Sequence, residues 1–521
     1  VAFMALLYVV GFAINPVFFG NADALFSALR DAARYGVMAV GMTFVIVNRD
    51  LDLSVGSTLG LTAVAFSIAV APSGYDLSPW LAAGLCVALG AAIGLINGVL
   101  VTYLRVPAFI ATLTMLFIGR GLVLGLTSGR NIGYAQKGAE SAFFAVGEVN
   151  ALGFNNQILV FAVVALLGGL ALARTRWGYE TYATGGNLTA AEFAGIDTRW
   201  VRIRAFMLSS LCATLAGLMH VAQDKGVNSL YGQGAELIVI ASVIVGGASI
   251  LGGRGTVLGS CLGALLIALI DKVLREGVPT TRTLVIGGQE IEVQAMAQLP
   301  PGAVPAFLGL ILLVAVLIEP WVIRYRLFAR LLAWWRGRPP PPEEGQAIAL
   351  EPARTRGARA DDAGHGGGPL RRLLGQSEAA AVILVVLLWV VGFYLRPDFW
   401  GSLDNSFNLL LAFTEIGLMA VGMAYVIAGG DIDLSVGAVL ALSGATAAFL
   451  MVELRAEPWL AALTGFAAGT LAGAVNGLLA TKGRLPAFVA TLGMFYIARG
   501  VAAWLVAGRQ LSGFPETYNM L

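Results

Sequence analysis

The sequence predicts an all-α, polytopic integral membrane protein, and three observations carry that prediction. Hydrophobic residues fill 58% of the 521 positions and charged residues only 12%, about half the charged share of a soluble domain. The apolar residues lie in long runs, such as 79–101 and 303–318, near the roughly 20 residues that cross a ~30 Å hydrocarbon core. The runs are continuous rather than alternating, which suits helices and excludes barrel strands.

Ten spans are expected in the first unit, at about 1–14, 32–47, 53–72, 79–101, 107–127, 157–173, 205–222, 235–251, 255–271 and 303–323. A cytoplasmic N-terminus puts Arg105, the Arg-rich 174–204 loop and the arginines from Arg324 to Arg372 on one side, as the positive-inside rule requires. No cleavable signal peptide is visible; the first run reads as an anchoring span, and both chain ends read as truncated. Residues 336–370 replace apolar runs with Pro, Gly, Ala and mixed charge, the composition of a flexible cytoplasmic linker. His365 lies there as an incidental residue. The domain reading is a first unit at 1–330, a linker at 331–372 and the first half of a second unit at 373–521.

That second unit restarts the sequence. Ala39-Val40-Gly41-Met42 recurs as Ala420-Val421-Gly422-Met423, and Asp52-Leu53-Ser54-Val55-Gly56 as Asp433-Leu434-Ser435-Val436-Gly437, both 381 residues later. Asn97-Gly98, Pro107-Ala108-Phe109 and Arg120-Gly121 recur 379 residues on, as Asn476-Gly477, Pro486-Ala487-Phe488 and Arg499-Gly500. Five further spans follow, at about 377–395, 408–428, 434–452, 458–480 and 486–507. Ten spans being an even number, the two copies share one orientation.

Three glycine series repeat every four residues: Gly90, Gly94 and Gly98; Gly255, Gly259 and Gly263; and Gly465, Gly469, Gly473 and Gly477. That spacing puts a bare strip on one helix face for close packing. Asp50, Asp52, Asp431 and Asp433 lie between or within apolar runs, where a charge is either a helix cap or part of a functional path. Asn97 and Asn476 suit hydrogen bonds between helices. His220, near Asp224 and Lys225, reads as interfacial. Cys86, Cys212 and Cys261 sit in apolar runs and read as packing thiols. In the 174–204 loop, Gly185-Gly186-Asn187 followed by an Ala-rich stretch to Gly195 predicts one short helix with an Asn cap and a Gly stop, a docking knob for a partner. The chain has no phosphate-binding loop, nucleophile constellation or metal-ligand cluster, so catalytic and metal sites are not expected. A net charge of +2 is too weak to suggest nucleic acid.

These segments together resemble the permease subunits of bacterial ABC importers for ribose, xylose and related simple sugars. The likeness rests on Ala39–Met42 with Asp52–Gly56, on Pro107–Leu113 with Arg120-Gly121, on the Gly185–Ile196 loop, and on Gly232–Leu237 running into Gly246–Ser249 and Gly252-Gly253. It implies an importer of a monosaccharide or related small polar solute, in lipid of the inner membrane. ATP and Mg would be held by a separate cytoplasmic ATPase, and an extracytoplasmic solute-binding protein would deliver the cargo. It also implies that Gly185, Gly186, Asn187, Ala190, Ala191, Glu192 and Gly195 form the ATPase coupling loop. The candidates for the solute path are Asp52, Ser54, Asn97 and Phe109, with Asp433, Ser435, Asn476 and Phe488. The family has Gly-Gly before the Asp-Leu-Ser corner; the second copy keeps Gly429-Gly430, whereas the first has Asn48-Arg49. The rival readings are an ion-coupled secondary transporter and a membrane scaffold that moves no solute.

Overall fold

Several helix ends in this chain are set by side-chain caps, by proline or by glycine. The computed structural model describes residues 12, 16–134, 141–151, 153–276, 278–286, 289–297, 302, 305–307, 309–314, 377–483 and 485–515. The expected first span and the 336–370 linker with His365 fall almost wholly outside these residues, as does most of the tenth span beyond 314. Two compact units are present, Val1–Glu319 with Gly437–Leu521, and Pro320–Val436.

In the larger unit, α1 (Ala22–Val47) starts where Asn21 Oδ1 accepts from the Asp23 N–H. It ends at Asn48, followed by Arg49 at a φ of 68°. α2 (Val55–Val70) follows, then α3 (Pro79–Thr102), with Ser78 as N-cap and Pro79 in its first turn. After α4 (Ala108–Thr127) and α5 (Asn156–Arg174) come two short helices, α6 (Arg176–Gly186) and α7 (Leu188–Phe193). α8 (Thr198–Asp224) is capped by Asp197, which accepts from the Trp200 N–H. α9 (Ala235–Val245) begins after Gly234 and stops at Gly246-Gly247, and α10 (Val257–Glu276) completes the set.

α8 is the axis of the unit, and glycines let its neighbours close on it. On α3, a Cβ at Gly94 would lie 2.6 Å from Met207 Cα, and one at Gly98 2.8 Å from Ile203 Cα; Gly90 faces Thr214. On α1, a Cβ at Gly41 would lie 2.7 Å from Ser209 Cα. Gly259 and Gly263 of α10 pack in the same way on Gly246 and on the Ser242 carbonyl, and Gly255 packs on Ala248 and Val47. α8 also serves as a ruler. Arg202 meets Asp50, Ser209 meets Gly41, Gly217 meets Leu59, and His220 meets Arg34. At 1.5 Å per residue, Arg202 and His220 are about 27 Å apart, close to the hydrocarbon thickness.

Two expected spans are only partly helical. α9 covers 11 residues of the 235–251 run, about 16 Å, because Gly246 ends it and Gly247 takes a φ of 89°. α2 covers 16 residues, and non-helical residues 48–54 lead into it. A two-stranded hairpin, β3 (Val278–Ile286) and β4 (Gln289–Ala297), joins α10 to the next helical segment, with Ile286 paired to Gln289. It was not anticipated, although alternating residues around Gly287-Gly288 carry its signal. Two-residue strands β1 (Ile132–Gly133) and β2 (Gly226–Val227) also pair antiparallel.

The second copy contributes α13 (Val436–Val452), α14 (Pro458–Thr481) and α15 (Ala487–Leu505). Gly465 and Gly469 of α14 pack on Ser443 of α13. Gly473 and Gly477, expected in the same seam, meet nothing within 4 Å. In the first copy that strip is filled by α8. In the smaller unit, α11 (Ser377–Leu395) and α12 (Leu403–Ala428) hold their large apolar residues exposed, the surface that lipid favours.

Candidate functional site

Specific polar contacts tie the corner between α1 and α2 to its neighbours. Asp52 Oδ1 accepts from the Ser54 N–H at 3.0 Å and from Ser54 Oγ at 2.6 Å, so the carboxylate caps the start of α2. Asn97 of α3 donates Nδ2 to Ser54 Oγ at 2.9 Å. All three side chains are fully buried. Two residues earlier, Asp50 accepts a two-pronged pair of bonds from Arg202, 2.7 Å from Nε and 2.6 Å from Nη2, the strong guanidinium–carboxylate geometry. Thr112 of α4 donates to the Leu51 carbonyl. Non-helical backbone is tolerated at membrane depth where it is buried in protein, and two of these bonds take up the Ser54 N–H and the Leu51 carbonyl.

Phe109 stands in the first turn of α4, and its side chain is not brought into that cluster by any hydrogen bond or ring contact among the described residues. In the second copy, Ser435 repeats the capping bonds to Asp433, 2.7 Å through its N–H and 2.6 Å through Oγ. Asn476 is buried on α14, and Phe488 opens α15. Arg202 was not singled out with Asp50 at the sequence level: its register on α8 decides the pairing, and only a cluster of arginines was legible.

The loop between α5 and α8 is two helices rather than one. Asn187 Oδ1 accepts from the Ala190 N–H to start α7, and Gly195 takes a φ of 80° after it, while the additional helix α6 precedes both. Ala191 is buried, Ala190 is exposed, and Glu192 accepts from Thr198 Oγ1 at 2.9 Å. Gly185 and Gly186 do not form the outer tip. Gly185 packs on the Val47 carbonyl at the end of α1 and on Gly253, while Gly253 donates its N–H to that same carbonyl at 2.8 Å. Tyr182 donates to the Gly255 carbonyl at 2.6 Å, and burial raises its phenol pKa, which keeps it a donor. Phe44 of α1 stacks on Trp177 of α6, with centroids 4.7 Å apart. The tip instead carries Phe193, 90% exposed. Below the tip, Arg204 bonds Glu180 and lies over the rings of Trp177 and Trp200.

At the opposite end of α8, Arg34 donates to Gln157 Oε1, Gln223 Oε1 and His220 Nδ1 at 2.5–3.0 Å, with that ring nitrogen unprotonated. Tyr231 donates to Asp224. His220 thus accepts from Arg34 at the end of the span. A cavity of about 120 Å³ opens beside it, lined by Arg34, Tyr35, Tyr231 and Gln233 among others. No group of three or more metal-ligating side chains occurs among the described residues, and Cys86, Cys212 and Cys261 are unpaired and buried.

The sequence is similar to known permeases. Ribose import permease protein RbsC of Escherichia coli K12 is 37% identical over 277 residues, which cover 53% of this chain and 84% of that protein. Autoinducer 2 import system permease protein LsrC of Klebsiella pneumoniae is 38% identical over 275 residues, 52% of this chain and 78% of that protein. Inner membrane ABC transporter permease protein YjfF of Escherichia coli K12 is 40% identical over 260 residues, 49% and 76% respectively. No solved structure matches the chain. The profile of one family, the permease component of branched-chain amino acid transport systems, matches residues 24–317 and 405–520. With its apolar helices, its tandem sequence and these two matched segments, the chain belongs to that family and is a multi-span membrane permease.

Proposed function

We propose that this chain is the membrane subunit of an importer, driven by a separate ATPase and carrying a monosaccharide or similar polyhydroxylated solute. The observation that carries the reading is the α6–α7 platform. Its tip presents an apolar side chain to the aqueous phase, and its root is wedged between the end of α1 and the 252–255 loop. A push on Phe193 is therefore delivered to the backbone at Val47, eight residues before the start of α2. The relatives named as ribose and autoinducer 2 import permeases support a small polar cargo. The arginines of the 174–204 region support a cytoplasmic platform and N-terminus, with an extracytoplasmic binding protein delivering solute from the far side. The domain plan follows: units at 1–330 and 373–521, joined by a cytoplasmic linker at 331–372, the first unit offering its platform to an ATPase.

Uptake of radiolabelled D-ribose into proteoliposomes, with the cognate ATPase and binding protein present, tests this. Uptake should require ATP hydrolysis, and Phe193→Ala should cut it about tenfold while the permease still elutes as a folded, monodisperse particle. Uptake that persists without the ATPase, and collapses with the ion gradient, would replace this reading with ion-coupled transport.

A further inference from the structure

α2 and α9 both begin part-way along α8, and their first turns meet. A Cβ at Gly56, in the first turn of α2, would lie 2.6 Å from the Gly232 carbonyl and would collide with Glu236 Oε2 in the first turn of α9. The meeting point lies below Gly217, which packs on Leu59, and above Arg202, so it is inside the hydrocarbon zone. Helix N-termini carry partial positive charge, which accounts for an acidic side chain at each. It does not explain why one oxygen of the buried Glu236, Oε2, has no hydrogen-bond partner.

Arg120 approaches the same place from α4. It is the single charged residue of that helix, as Glu236 is of α9. Its Nη1 donates to the Tyr231 carbonyl at 2.7 Å, and its Nη2 is buried without an acceptor. The two opposite charges form no ion pair within 4.0 Å; each is left with an unused atom. An unpaired charge at membrane depth is costly, and an unsatisfied buried polar atom calls for a partner of its own. A carboxylate oxygen lacking a donor and a guanidinium nitrogen lacking an acceptor are the two complements of adjacent hydroxyl groups. One hydroxyl donates to the carboxylate, and its neighbour accepts from the guanidinium. The 120 Å³ cavity abuts this place, being lined by Leu59, Tyr231, Gly232 and Ala235. It has room for several waters, a small hydroxylated solute or one edge of a larger one.

We propose that Glu236 and Arg120 form a mid-membrane binding site for the vicinal hydroxyls of an uncharged polyol, entered from the cavity at Tyr231–Ala235. The proposal rests on the import reading above and names the site that reading lacks. Equilibrium binding of tritiated D-ribose to the full-length protein in lipid nanodiscs tests it, with 2-deoxy- and 3-deoxy-D-ribose as competitors. Wild type should prefer ribose over at least one deoxy sugar. Glu236→Gln and Arg120→Gln should each weaken ribose binding by roughly tenfold or more, the effect of losing a charged hydrogen bond. Each should leave unchanged the affinity for the deoxy sugar lacking the hydroxyl that its side chain takes. Loss of that discrimination without loss of fold is a signature that a purely structural role cannot produce. If both variants keep the wild-type preference, or lose all three sugars equally, the site is wrong while sugar import stands. If wild type binds none of the three, the site and the polyol cargo fall together.

Discussion

Arg49 holds a φ of 68° at the end of α1, and its counterpart Gly430 holds 85° at the end of α12. The left-handed conformation costs a side-chain-bearing residue about 1–2 kcal/mol, and glycine almost nothing. Arg49→Gly should therefore raise thermal stability in detergent by about 1 kcal/mol, and an unchanged or lower melting temperature would show that the arginine has a compensating partner. Next to it, Asp50 and Arg202 are side chains 6% and 21% exposed. Breaking a buried pair from one side costs about 3–5 kcal/mol, so Asp50→Ala should lower stability by roughly that amount. The double variant Asp50→Ala/Arg202→Met should recover part of the loss, because no uncompensated charge then remains. A strictly additive double-mutant cycle would mean that the two residues do not act together.

At the level of elements, the small-residue strips sort into those that carry a backbone contact and those that do not. Gly94 faces Met207 Cα and the Phe206 carbonyl, each 2.6 Å from a built Cβ, whereas Gly84 on the same helix meets nothing within 4 Å. Gly94→Val should therefore push α3 off α8 and abolish the monodisperse peak in fluorescence-detected size exclusion. Gly84→Val should leave that peak intact. Equal behaviour of the two variants would remove the packing role argued for the α3 strip. The α3 seam was legible as a four-residue period, but its partner was not, since periodicity names a face and never the helix opposite. The same limit explains Gly473 and Gly477, which carry the period without a neighbour.

At the scale of the molecule, the larger unit joins helices of both copies. Gly493 of α15 packs on Leu313, and Gly500 packs on Ala306, with a built Cβ at Gly500 2.7 Å from Ala306 Cβ. Cysteines at these two positions need a shift of about 1 Å to reach the ~3.8 Å spacing that a disulfide prefers. The pair Ala306→Cys/Gly500→Cys should cross-link under mild oxidation, since Cys86, Cys212 and Cys261 are buried and offer no competing exposed thiol. After proteolysis within residues 336–370, the two fragments should migrate together on a non-reducing gel and separate on a reducing one. Two fragments on both gels would show that the copies do not meet along this seam.

The all-α membrane class, the tandem copies and the helix caps were determined by the sequence, because each rests on local signals: apolar run length, repetition at a fixed offset, and a polar residue ahead of a run. Asp52 with Ser54 belongs to this group, as does the Asn187 cap. The pairing of Asp50 with Arg202, the wedge of Gly185 between Val47 and Gly253, and the approach of Glu236 to Gly56 were decided only by the tertiary structure. In each, the residues lie between about 60 and 180 positions apart, and their meeting depends on helix rotation and crossing, which packing across α8 sets. The β3–β4 hairpin lies between these cases, since its alternation was present but overshadowed by the long apolar runs on either side. Where a helix starts is thus local chemistry; what its first turn faces is settled by the close approaches that a few glycines permit.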